Sequence, residues 1–107
     1  MFTINGDLWN VKYVSPYDSS LKHFNSDTYA LGCCNNMDKT IYINNTLRGE
    51  LMKKVLCHEI THAAMFSYGV NITYDQEELV ADLLATYGEE VIDITNKIFN
   101  KLKEGYY

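Results

Sequence analysis

His58-Glu59-Ile60-Thr61-His62 lies within a run, Leu51 to Phe66, whose apolar spacing is that of a helix. Residues four apart on a helix share a face, so His58 and His62 can grip one metal ion together. Zinc takes imidazole nitrogens at about 2.0–2.1 Å, and a catalytic site keeps a further position open for water. Glu59 stands beside that position, where its carboxylate can take a proton from the water. The pattern predicts a zinc peptidase. The plainer alternative is an amphipathic helix whose two histidines only satisfy core contacts.

Around that motif the helix has two apolar sides. Leu51, Val55, Met65 and Phe66 fall on the side of His58 and His62, while Met52, Leu56, Ile60 and Ala63 form a second stripe. A narrow band through Glu50, Lys53, Cys57, Thr61 and Ala64 is left for solvent or a small polar contact. Such a helix is sandwiched, here between a sheet and the next helix, with the histidines at the inner end of a cleft. Asn45 or Thr46 is the expected N-cap, and Gly69 the expected stop.

Upstream, residues 8–14 alternate Trp9, Val11 and Tyr13 against Asn10 and Lys12, the pattern of a half-buried strand that Ser15-Pro16 ends. Residues 28–34 and 39–44 read as two further strands joined through Asn35-Asn36-Met37-Asp38, a hairpin. Downstream, Asp75 with Glu78 three residues on has the form of a capping box. A helical pattern follows through Leu79, Leu83, Tyr87, Val91, Ile94 and Ile98 to Leu102. Unbroken, it would be roughly 40 Å long at 1.5 Å per residue, so Gly88 is the expected bend or break.

Composition narrows the class. The 107 residues are 47% hydrophobic with a net charge of −5 and no basic run, which suits one folded domain and argues against a nucleic-acid surface. No apolar stretch is long enough for a bilayer, and Met1 to Asp7 lacks the features of a signal peptide. Three cysteines without framework spacing suit a reducing cytoplasm. Cys33, Cys34 and Cys57 are expected as buried thiols, not ligands.

Two histidines need a third protein ligand to hold catalytic zinc. His23 is one alternative; Asp75, Glu77, Glu78 and Asp82 at the start of the second helix are the others. Glu78 and Asp82 are four apart and share a face, so one can bind metal while the other orients a histidine from behind.

His58-Glu59-Ile60-Thr61-His62 followed by Glu78-Leu79-Val80-Ala81-Asp82 resembles the H-E-x-x-H…E-x-x-x-D arrangement of gluzincin metallopeptidases, the thermolysin-like clan. The short strand-rich N-terminal half makes the chain most similar to small ImmA/IrrE-type zincins, including minimal ones encoded by phages. The resemblance implies one Zn2+ held by His58, His62 and Glu78, with Glu59 as general base and Asp82 behind a histidine. It also implies that strand 28–34 is the edge that pairs with an extended substrate. Only 15 residues separate His62 from Glu78, fewer than in many relatives, so the connecting loop must be tight. No histidine follows Glu78, so the cation that thermolysin-like enzymes place on the oxyanion is missing; Tyr68, Tyr74 and Tyr87 are the candidate donors.

The expectation is therefore a single α+β domain with a minimal zincin-like fold: a three-stranded sheet on a central metal-binding helix, closed by a C-terminal helical segment. The expected function is zinc-dependent peptide-bond hydrolysis on a peptide or protein substrate in the cytoplasm, with no nucleic-acid or membrane partner and room for a regulatory protein partner. The alternative is a non-catalytic zinc-binding regulatory or assembly protein on the same scaffold.

Overall fold

The computed structural model describes residues 1–24 and 26–105. Phe2–Ile4 (β1) and Asp7–Val14 (β2) form a hairpin about Asn5-Gly6. Both turn residues have positive φ, 47° and 84°, the conformation a two-residue turn needs to match the twist of its strands and one that Asn-Gly adopts readily. Gly32–Asn35 (β3) and Thr40–Asn44 (β4) make the second hairpin. β4 then runs parallel to β2, with Asn10 opposite Thr40 and Val14 opposite Asn44, and the sheet order is β1-β2-β4-β3.

The fold is α+β as expected, with four strands instead of three. The middle strand is also shorter than 28–34. Ala30 N–H donates to Leu21 O at 2.8 Å, beside a bridge between Lys22 and Tyr29, so this segment pairs with the 3-10 turn Ser19–Leu21 and joins β4 only from Leu31 onward. The inward alternation of β2 holds at Trp9, which is fully buried, and fails at Tyr13, which is exposed.

Two α-helices follow among the described residues, Gly49–Ser67 (α1) and Tyr74–Lys103 (α2). Neither Asn45 nor Thr46 caps α1. Arg48 occupies that position without a side-chain cap, while Asn44 Oδ1 accepts from Thr46 N–H at 2.8 Å and from its hydroxyl at 2.6 Å. At the other end Gly69 has φ 63°, and Val70 N–H reaches back to Met65 O at 2.9 Å, a left-handed closure that needs glycine. α1 is sandwiched between the sheet and α2. Trp9, Ile41, Ile43, Leu47 and Ala63 form the core, with Met52, Leu56 and Ile60 packed against it. Thr61, expected on the band left for solvent or a small polar contact, is buried and donates its hydroxyl to Cys57 O at 2.8 Å.

The capping box of α2 falls two residues earlier than expected. Thr73 Oγ1 accepts from Gln76 N–H at 3.2 Å, and the Gln76 side chain accepts from Thr73 N–H at 3.0 Å. Asp75 and Glu78 are thereby free of any capping duty. The expected break at Gly88 is absent as well: α2 runs 30 residues without interruption, about 45 Å at 1.5 Å per residue. It stretches the molecule to 56 Å along one axis against 30 and 28 Å along the others. Among the described residues, no helix is long and apolar enough to cross a membrane.

Candidate metal centre

α1 and α2 meet where His58 and His62 face the first two turns of α2. The two imidazoles stack edge to face with centroids 4.8 Å apart, and their Nε2 atoms are 3.1 Å from each other. Each ring is held from behind. His58 Nδ1 lies 2.9 Å from Asp82 Oδ1, and His62 Nδ1 lies 2.6 Å from Glu77 Oε1. Carboxylates only accept, so both rings donate Nδ1–H, and a neutral ring then turns its Nε2 lone pair toward the cluster.

Glu78 comes between them, with its carboxylate oxygens 2.7 Å from His62 Nε2 and 3.4 Å from His58 Nε2. Three acceptors thus point at one another, their ligand atoms within 4.8 Å. With both Nδ1 protons committed elsewhere, neutral rings bring their lone pairs and the carboxylate together, an arrangement that a cation among them satisfies. Two nitrogens about 2.05 Å from a tetrahedral ion stand about 3.3 Å apart, close to the 3.1 Å seen here. The donor set, two imidazoles and a carboxylate, is one that zinc accepts. The residues present fit the ion.

Glu59 is on the neighbouring face of α1 and is buried. Burial pushes its carboxyl above the usual range; positive charge on His58 or His62 would oppose that, and Glu78 adds to it. On its other side is Gly32 of β3. A Cβ at Gly32 would fall 2.8 Å from Val55 Cγ1 and 2.9 Å from Glu59 Cγ, so only glycine lets the strand approach this closely.

The cleft around these groups has a volume of about 610 Å³ and lies between the β3 edge with the 3-10 turn on one side and the two helices on the other. His23 lines it but stays out of the cluster. Of the three candidate tyrosines only Tyr74 lines it; the Glu78 charge, then burial, holds its phenol above the usual range. The cysteines stay free, and burial, with the Glu59 charge, pushes the Cys34 thiol up to about 12. Such a thiol is a poor ligand at neutral pH, since metals take the thiolate.

His58, Glu59, His62, Glu78 and Asp82 are brought together as their spacing on two helices requires. Two participants escape the sequence pattern. Glu77 is among the possible ligands, but the structure puts it behind His62. Gly32 carries the general signal of a glycine inside a strand and nothing more specific.

The fold and the cluster define a peptidase-like domain, and comparison with known families agrees. The model of the IrrE N-terminal-like domain, Peptidase M78, matches residues 11–89, which is most of the chain. The protein belongs to that family. No curated protein and no solved structure gives a match.

Proposed function

We propose that this protein is a zinc metallopeptidase of the gluzincin type, with His58, His62 and Glu78 as metal ligands and Glu59 as general base. The observation that carries the reading is the triangle of acceptors, with each histidine committed through Nδ1 to a carboxylate. Zinc held there supplies a Lewis acid that polarises a peptide carbonyl and acidifies water.

The chain's own groups do the rest. Glu59 takes the proton of the attacking water on a carboxylate oxygen and passes it to the leaving amine. Asp82 and Glu77 hold the imidazoles in one tautomer and orientation. Tyr74, in the cleft beside Glu78, is the donor available to the developing oxyanion.

Substrate specificity begins at β3. Asn44 N–H donates to Leu31 O at 3.0 Å, so in the alternating ladder Gly32 and Cys34 turn their backbone groups away from β4. Both residues line the cleft, and an extended peptide can pair with that free edge.

Zinc content and hydrolysis together test the reading. Purified protein should hold about one zinc per chain, and Glu59→Gln should keep the metal while losing about 10²–10⁴-fold in peptide hydrolysis. Full activity in Glu59→Gln would overturn the mechanism. Bound zinc with no hydrolysis in the wild type, and loss of stability on chelation, would instead support a non-catalytic zinc protein.

A further inference from the structure

Every residue from Glu89 to Gly105 is exposed, yet the stretch is rich in apolar side chains. Val91, Ile94 and Ile98 leave 55%, 49% and 41% of their surface open. With Val80, Leu84 and Tyr87 they recur at alternating intervals of four and three, the seam spacing of a coiled coil. Leu102 widens the same side, while Ile92 and Phe99 lie about 100–120° around the helix from it. The family match ends at residue 89, so the arm lies beyond the part of the chain that the family accounts for.

Charge selects the occupant. Glu90 and Asp93 precede Lys97, Lys101 and Lys103 along the arm. The helix dipole does not explain the acidic pair, because Asp75 and Glu77 already occupy the first turn and the dipole's effect dies within it. A second copy laid parallel would set Glu90 opposite Thr95 and Lys97 opposite Leu102, pairing no opposite charges. Laid antiparallel, it brings Glu90 of each chain against Lys97 of the other, while Asp93 stays on the outer side. Glu90 and Lys97 also hold the same heptad position beside the seam, the one that faces its own counterpart in an antiparallel pair. Covering the exposed seam side chains together with Leu102 would remove on the order of 600 Å² per copy, the low end of the range for specific interfaces.

We propose that the C-terminal half of α2 is a self-association surface that pairs antiparallel with the same segment of a second copy of this chain. The pairing leaves the metal cleft open, since none of the seam residues lines it.

Sedimentation equilibrium of the full chain tests this. The expected result is twice the chain mass at micromolar concentration, and a single chain mass for Ile94→Glu/Ile98→Glu with an unchanged near-ultraviolet circular dichroism spectrum. Glu90→Lys should weaken association about tenfold, or about 1.4 kcal/mol. Adding Lys97→Glu to that variant should restore it. A single chain mass for the wild type up to about 0.5 mM, weaker than any standard interface gives, would overturn the proposal. So would a dimer indifferent to Ile94→Glu/Ile98→Glu, or charge reversals that do not restore one another. A monomer that instead sediments with phospholipid vesicles would assign the face to a membrane and overturn it equally.

Discussion

Tyr74–Glu89 and Glu90–Lys103 are halves of one unbroken helix with the same apolar periodicity and opposite surroundings. The first half lies along α1 and places Glu77, Glu78 and Asp82 on two histidines. The second half is exposed at every residue. The difference shows that periodicity announces a face to be covered, while the chemistry of the neighbouring helix decides what the face does. Glu77, Glu78 and Asp82 on the first half meet imidazoles, whereas the carboxylates of the second are surface charges.

The contrast breaks most sharply at Glu78. Glu78→Ala should reduce the zinc-to-protein ratio from about one to near zero in dilute buffer, because two imidazoles alone do not hold catalytic zinc. Elemental mass spectrometry reads this directly, and a ratio unchanged in the variant would remove Glu78 from the site. Substitution at Glu90 should leave the ratio untouched.

Smaller effects are expected one layer out. Losing the carboxylate behind a metal-bound histidine costs about 10–100-fold in metal affinity. Glu77→Ala should fall at the upper end of that range and Asp82→Ala at the lower, since the Glu77 side chain is 19% exposed and that of Asp82 68%. Water can replace the exposed partner far better than the buried one. Competition against a chromogenic chelator ranks the two variants, and the reverse order would mean that His58 depends on its partner more than His62 does.

Glycine at position 32 makes a different kind of contribution. Gly32→Ala forces a methyl group to 2.8 Å from Val55 and 2.9 Å from Glu59, an overpacking that costs about 1–3 kcal/mol. Urea denaturation should show that loss, and hydrolysis should fall further than stability alone explains because Glu59 is what moves. A neutral substitution would show that β3 can retreat from α1 without consequence.

What could be read in advance follows from how local each feature is. His58 with His62 and Glu78 with Asp82 are visible because a spacing of four fixes a shared helical face. That Glu77 takes the back of His62 while Glu78 takes its front is not visible. The two side chains point about 100° apart, and only the crossing of α1 and α2 decides which nitrogen each one meets. The parallel pairing of β2 with β4 is equally non-local. β1 is a different omission, since Asn5-Gly6 carries the two-residue hairpin signal in plain view, but the strand before it is only three residues long. The capping box moved because Thr73 with Gln76 satisfies the motif as well as Asp75 with Glu78, and the choice between them frees Glu78 for the histidines.

Gly88 stands at the border between the two halves and is expected to give the smallest effect. The helix passes through it unbroken, so it retains a glycine's cost in a helix interior, about 0.5–1 kcal/mol relative to alanine. A Cβ there would meet Leu84 Cδ1 at 2.6 Å, but that atom ends a side chain that is 44% exposed and can turn aside. Gly88→Ala should therefore stabilise the protein by a few tenths to about 1 kcal/mol. Amide exchange should slow from Glu90 onward while zinc affinity stays constant. If the substitution destabilises instead, Leu84 cannot turn, and the border residue is held in place by something that lies on the exposed side of α2.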